Sequence, residues 1–351
     1  MNKTLLPNGL GDLLAPQAGH EARLIENFMT TFAQFGYARV KPPLVEFEES
    51  LFAEGPGQAL SRNTFRLMDP VSQQMMGVRA DTTAQIARIA GSRLAKEARP
   101  LRLSYAADVL RVKATQLRPE RQFCQVGCEM IGARSSRDDV EAMLVAMLAL
   151  SKSGIAHLSI DLTVPTLLTH LYEELGTADD VRAALAAPLE KRDHDALAAI
   201  DDQAAKIIAR IMEIIGPADD VLARLAALNL PGKAGEDVAL LAEAANDLQE
   251  ALGVYALDAV TVTIDPLETR GFEYQTGVSF TLFARGARGE LGRGGRYNTG
   301  GESATGFTFY MDTILRNAPV VGARGVQSVD ERAAWSDIKK IQDSGVSVRR
   351  S

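Results

Sequence analysis

The chain has 351 residues, 46% hydrophobic and 24% charged, which is ordinary globular material with enough length for one large core or two smaller ones. A formal net charge of −7 argues against a general nucleic-acid surface, because binding to a phosphate backbone rests on clustered Lys and Arg. Residues 1–14 carry one lysine and no long apolar run, and no later stretch approaches the ~20 apolar residues of a spanning helix, so a cytoplasmic location is expected.

In chain order, residues 22–35 repeat apolar side chains at helical spacing (Leu24, Ile25, Phe28, Met29, Phe32) until Gly36 ends the run. Residues 37–47 read as short extended pieces interrupted by Pro42 and Pro43. Residues 65–68 and 75–78 flank Asp69-Pro70 as a hairpin that delivers Arg79 and Asp81. Thr82 or Thr83 then stands where the N-cap of a helix over 84–95 belongs, so the plain role of Asp81-Thr82-Thr83 is capping.

Residues 109–113 and 121–132 read as two strands joined by a charged loop. On the second strand Phe123, Gln125, Gly127, Glu129 and Ile131 share one face, while Cys124, Val126, Cys128 and Met130 share the other. The first face sets Gln125 and Glu129 on either side of a glycine, leaving room for a small polar ligand; the second face is core. Four residues along a strand is roughly 13 Å, so Cys124 and Cys128 are too far apart for a disulfide, and no His or Cys spacing completes a metal set. Neither a metal nor a cofactor is expected.

Residues 138–153 form an amphipathic helix whose Met and Leu stripe is core, and 158–162 is a strand. From 165 to 252 the texture turns to Ala, Leu, Asp and Glu in helix-forming runs with no strand pattern, and Asp179-Asp180 and Lys191-Arg192 read as solvated faces. Residues 258–264, 276–284 and 304–310 alternate as strands, 311–316 starts a closing helix, and 330–342 reads as one more helix ahead of 346–348. The segments Gly292-Arg293-Gly294-Gly295-Arg296 and Gly300-Gly301 fit no phosphate-binding glycine pattern and read as tight turns. Strands, a helical block and strands again predict an α+β fold: an antiparallel sheet flanked by helices, with a discontinuous core over 1–164 and 253–317, a helical insertion over 165–252 and a short tail over 318–351.

Arg111 closing one strand, and the run Phe123-x-Gln125-x-Gly127-x-Glu129 after the loop, resemble motif 2 of the class II aminoacyl-tRNA synthetases, and most of all the histidyl-tRNA synthetase branch. Val78-Arg79-Ala80-Asp81-Thr82-Thr83-Ala84 is similar to that branch's Arg-Pro-Glu-x-Thr-Ala segment. Arg270-Gly271-Phe272-Glu273-Tyr274-Gln275-Thr276-Gly277, with Gly294-Gly295-Arg296-Tyr297 after it, resembles its Arg-Gly-Leu-Asp-Tyr-Tyr-Thr-Gly and Gly-Gly-Arg-Tyr signatures. The likeness runs from Leu6 to Asn317 and weakens only in the middle, and it implies a class II synthetase-like fold with a dimer interface around 36–47.

The chain departs from the synthetase pattern where ATP and tRNA are concerned. Lys113 replaces a glutamate that contacts adenine, and Tyr310 fills a position where motif 3 has glycine. Thr313 stands where a motif 3 arginine holds the triphosphate, and a neutral hydroxyl cannot replace that charge-assisted partner. Only 34 residues follow Asn317, so the resemblance implies no anticodon-binding domain.

A histidine pocket without ATP or tRNA machinery resembles the regulatory-subunit family of ATP phosphoribosyltransferase, the synthetase-like partners of the short catalytic subunit that opens histidine biosynthesis. That resemblance implies a non-catalytic chain that activates the short catalytic subunit, dimerises within a larger hetero-oligomer, and takes L-histidine as feedback effector, with no tRNA or membrane partner. By the same resemblance Asp81, Thr83 and Gln125 hold the ligand ammonium, Arg270 its carboxylate with a second contact from Arg111, and Glu129 the imidazole, while Tyr274 walls the ring. Asp81 is one methylene shorter than the family glutamate and reaches the ammonium through water, and Gln275 replaces a tyrosine that touches imidazole. Three alternatives stand beside this: a truncated synthetase paralogue that still adenylates or ligates an amino acid, an amino-acid sensor for some other partner, and a plain ion-pair cluster of Arg111, Glu129 and Arg270 with no ligand.

Overall fold

Gln125 and Glu129 hang from a nine-stranded sheet, and the other candidate residues stand on loops and a short helix beside it. The computed structural model describes residues 5–52, 56–114, 118–320 and 326–351; the expectations for residues 1–4 and for part of the charged loop before Glu120 lie outside them. In chain order the elements are α1 (Gln17–Gln34), β1 (Ala38–Arg39), β2 (Val45–Phe47), α2 (Glu48–Leu51), β3 (Arg66–Met68), β4 (Met75–Val78), α3 (Thr83–Gly91), β5 (Leu101–Leu110), β6 (Gln122–Ile131), α4 (Ser136–Lys152) and β7 (Leu158–Thr163). The helical block holds α5 (Leu167–Leu175), α6 (Asp179–Lys191), α7 (His194–Ala198), α8 (Gln203–Met212), β8 (Gly216–Pro217), α9 (Ala218–Ala226) and α10 (Gly232–Val254). The rest is β9 (Thr261–Ile264), β10 (Gln275–Ala284), β11 (Gly292–Thr299), β12 (Glu302–Tyr310), α11 (Met311–Asn317), β13 (Val326–Val329), α12 (Trp335–Asp343) and β14 (Ser347–Arg350).

The large sheet runs β1-β5-β6-β12-β11-β10-β7-β9-β8, antiparallel through its centre, with parallel pairings of β1 on β5 and β7 on β9 toward its edges. The core face predicted for β6 is observed: Cys124, Val126, Cys128 and Met130 pack in the main apolar cluster with Phe28 and Phe32 of α1 and Met143 and Met147 of α4. Phe28 meets Phe309 edge-on at 5.1 Å and Phe32 meets Phe307 at 5.5 Å, which fixes α1 across β12. The same cluster runs on through Leu185, Ile208, Leu241 and Leu248, so the helical block shares one core with the sheet.

A second, three-stranded sheet, β2-β4-β3, carries the predicted hairpin, and Asp69 accepts the amides of Val71 and Ser72 at its turn. Buried Arg79 ties this small sheet to the large one by donating to the carbonyls of Pro42, Pro43 and Asp108. Glu46 on β2 accepts from Gln85 and Arg88 of α3, so α3 is clamped beneath the hairpin and its N-terminus is aimed at β6.

Two expectations need correction. The glycine-rich run at 292–296 is not a set of turns but strand β11, between β10 and β12. A Cβ on Gly294 would lie 2.5 Å from the Phe280 ring, so glycine here is what lets the strands close over a bulky neighbour. The helical block contains a two-residue strand, β8, too short to leave a period in sequence. The expected helix of the tail is observed as α12, between β13 and β14, which pair in parallel. No helix among the described residues is long and apolar enough to cross a membrane.

Candidate functional site

On the face of β6 opposite the core, Glu129 is 2% exposed. Thr83 donates its hydroxyl to Glu129 Oε1 at 2.8 Å, Tyr297 donates to Oε2 at 2.8 Å, and the Tyr105 hydroxyl lies 3.5 Å from Oε1. Gly306 is the β12 residue registered opposite Glu129, and a Cβ there would run into the carboxylate, so a glycine on the partner strand makes the acid's space. Burial pushes the Glu129 carboxyl up to about 8, against hydrogen bonds from Tyr297 and Thr83 that favour its ionised form.

One pleat-pair along β6, fully buried Gln125 accepts the Thr82 amide at 2.9 Å and donates to Asp81 Oδ2 at 2.7 Å. Asp81 Oδ1 in turn accepts the Thr83 amide at 3.0 Å. The cap of α3 is therefore supplied by Asp81, not by the Thr82 or Thr83 side chain; Thr83 spends its hydroxyl on Glu129 instead. Arg111 sits 3.7 Å from Asp81, donates to the Ala80 carbonyl and lies 5.1 Å over the Phe123 ring. Tyr274 stands edge-on to Tyr297 at 5.7 Å, and burial first, then the charges of Asp81 and Glu129, raise its phenol well above the usual range.

The structure thus brings Asp81, Thr83, Arg111, Gln125, Glu129 and Tyr274 together and leaves Arg270 out. The Arg270 side chain is 70% exposed and binds Glu268 through Nε and Nη2, at 3.1 and 2.8 Å. Its side chain lines a cleft beside the helical block, and its backbone carbonyl accepts from Arg293. An ion pair two residues away in sequence costs little loop entropy to form, which is why the isolated signature does not reveal where the side chain points.

The expected room above Gly127 is also absent. Tyr105, the cross-strand partner of Gly127 on β5, is fully buried, and a Cβ on Gly127 would come within 2.6 Å of its hydroxyl. The missing side chain is replaced by a neighbour's ring, whose hydroxyl also bonds Thr308 at 2.6 Å.

Sequence reasoning missed several contributors. Tyr297 lay inside a quoted signature without a role, and Tyr105 lies on β5, which starts at Leu101, eight residues ahead of the strand expected to begin at 109. Thr82 Oγ1 and Gln275 Oε1 are buried without a hydrogen-bond partner, and Gln275 is registered with Tyr297, beside Glu129. Each such atom costs about 1–3 kcal/mol unless something polar answers it. Beyond Phe123, the Arg118 guanidinium lies 3.7 Å from the Tyr310 ring centroid and pairs with Asp312 and Glu290. That stack occupies ground next to Thr313, which is buried and hydrogen-bonded to Arg316. The Cys124 and Cys128 thiols are free and buried, and burial pushes Cys124 up to about 12, so both are inert.

The histidyl-tRNA synthetase family model matches residues 9–314. The chain is 54% identical over 317 residues to an ATP phosphoribosyltransferase regulatory subunit of Rhodospirillum centenum, covering 90% of this chain and 81% of that one. It is 48% identical over 319 residues to a protein of the same name from Paramagnetospirillum magneticum, covering 91% and 83%. Among solved structures, an ATP phosphoribosyltransferase regulatory subunit/histidyl-tRNA synthetase from Bacillus halodurans superimposes with a TM-score of 0.82 at 20% identity, over 99% of this chain and 93% of that one. The histidyl-tRNA synthetase of Nostoc sp. PCC 7120 gives 0.79 at 20% identity, over 99% and 86%. These neighbours share the class II synthetase-like fold with this chain.

Proposed function

Because the chain belongs to the family of ATP phosphoribosyltransferase regulatory subunits, we propose that it serves the short catalytic subunit of that enzyme in histidine biosynthesis, activating it and making it answer to L-histidine. The observation that carries the effector half is the buried carboxylate of Glu129, ringed by hydroxyls, with Thr82, whose amide Gln125 holds, and Gln275, registered with Tyr297, keeping a buried Oγ1 and Oε1 without a partner. A ligand bearing N–H donors satisfies all three, and the imidazole and ammonium of histidine supply them.

In this site Glu129 takes an imidazole N–H, and Asp81, Thr83 and Gln125 take the ammonium. Tyr274 bounds the ring and Arg111 meets the carboxylate. Arg270 adds its contact only by leaving Glu268. Feedback then requires that the occupied site favour a different state of the assembly, with a coupling that acts in both directions. An adenylating synthetase paralogue is the weaker alternative, since Thr313, Lys113 and the Arg118–Tyr310 stack remove or fill what a nucleoside triphosphate would use.

The test is to mix the purified chain with the short catalytic subunit and follow ATP phosphoribosyltransferase turnover against histidine. Activity should rise on mixing and fall with histidine, and Glu129→Gln should keep the activation while requiring more histidine to inhibit. If a verified complex turns over like the catalytic subunit alone at every histidine concentration, the proposal is wrong.

A further inference from the structure

Where the helical block meets the loop before Tyr274, an open cleft of about 300 Å³ is lined by α5, α6, Arg192 and residues 267–270. Its volume sits at the low end of the ~300–1,000 Å³ typical of ligand cavities, the size of a single amino acid. Tyr172, Leu189 and Leu267 provide an apolar wall, and Arg182, Arg192 and Arg270 converge on it.

Each guanidinium is already oriented. Arg182 donates Nε to the Thr177 carbonyl and lies 5.5 Å over the Tyr172 ring. Arg192 donates Nη2 to Asp265 at 2.5 Å, and Arg270 is held by Glu268. Arg192 lines the cleft from a left-handed backbone, φ 55°, at the end of α6, a conformation that most non-glycine residues avoid. Its Nη1 is nevertheless buried with no hydrogen-bond partner. Glu190, on the rim, is exposed and makes no hydrogen bond or ion pair among the described residues.

Arg192, whose Nη1 has no hydrogen-bond partner, and the exposed carboxylate of Glu190, which contributes to the field at Arg270, both line one small space with an apolar wall. With Asp265 and Glu268 offsetting two of the arginines, the surroundings are near neutral, which disfavours a phosphate dianion and suits a ligand of zero net charge that carries both signs. We propose that this cleft is a second amino-acid site, taking a free zwitterion with an apolar side chain: its carboxylate on Arg192, its ammonium on Glu190 and its side chain against Tyr172 and Leu189. The site is separate from the Glu129 cluster and touches it through one loop. Arg270 sends its side chain to the cleft and its backbone carbonyl to Arg293, the residue that also accounts for part of the electrostatic environment of Tyr274.

The probes are L-leucine and L-phenylalanine, titrated calorimetrically into the full chain, with 3-phenylpropionate and the amino-acid methyl esters as single-charge controls. At least one amino acid should bind saturably, and both controls should bind at least about tenfold more weakly, as expected for loss of one charged hydrogen bond. Arg192→Gln should weaken binding by a similar factor. Ala186→Phe, which fills the cleft from an exposed helix position and alters no charge, should abolish it. Glu129→Gln should leave it unchanged. No saturable binding of either amino acid, or binding that survives both Arg192→Gln and Ala186→Phe, overturns the site; binding lost in Glu129→Gln assigns it to the other cluster and overturns it as well. Equal binding of 3-phenylpropionate overturns the zwitterion.

Discussion

The Tyr297 hydroxyl lies 2.8 Å from Glu129 Oε2, although the two residues are 168 positions apart in the chain. The pair sits between β6 and β11, on either side of β12, and Gly306 of β12 clears the path between them. If histidine binds here, then above about pH 8, where Glu129 is ionised, Glu129→Gln should weaken it by about ten- to a hundredfold, the equivalent of roughly 1.5–3 kcal/mol for a hydrogen bond to a charged group. Titration calorimetry reads this directly, and unchanged affinity in the variant would remove the site.

The two arginines should separate in the same experiment. Arg111 is within the cluster and Arg270 is at the surface with Glu268, so Arg111→Gln should cost more affinity than Arg270→Ala. The reverse order would mean that Arg270 abandons Glu268 when ligand arrives.

Glu129 should also shape stability against pH. Its folded-state carboxyl is pushed up to about 8 from an ordinary 4.5, so between those values the native state holds a proton that the unfolded chain has released. The contribution is fully present below about pH 4.5 and is lost as pH rises toward 8 and above. Denaturant midpoints of Glu129→Gln, which cannot ionise, should therefore gain on the parent protein across this window; a constant difference from pH 5 to 8.5 would contradict the buried acid.

No histidine-dependent exchange of pyrophosphate into ATP is expected, because Thr313 offers no charge to a triphosphate and Arg118 and Tyr310 stack beside it. Robust exchange by the pure protein, abolished by Glu129→Gln, would favour the synthetase paralogue.

A homodimer in isolation is expected. β1 is a free edge of the large sheet, and the neighbouring small sheet exposes Leu44, Phe47, Met68 and Met75. Sedimentation across micromolar concentrations should find two copies together, with Met68→Asp shifting the population toward monomer. A monomer throughout would count against the interface.

Most of this architecture was legible because it was periodic. The stripe of α1, the two faces of β6 and the Met and Leu stripe of α4 each follow from spacing. What was not legible depends on a neighbour far away in sequence. β11 hides behind glycines whose purpose is the approach of Phe280 and Phe307, and β8 exists only because β9 is there to pair with it. The site shows the same division: Gln125 and Glu129 were visible as a strand pattern, while Tyr105, Tyr297 and the turn of Arg270 toward Glu268 required the fold.

The seating of Tyr105 over Gly127 makes pocket size a property of two positions rather than one. Any side chain added at 127 meets the ring, and trimming the ring alone leaves a void beside a buried acid. Drift toward a bulkier or slimmer ligand at this spot therefore has to pass through paired changes on β5 and β6, a ratchet that resists gradual retuning and favours keeping whatever the cluster already holds.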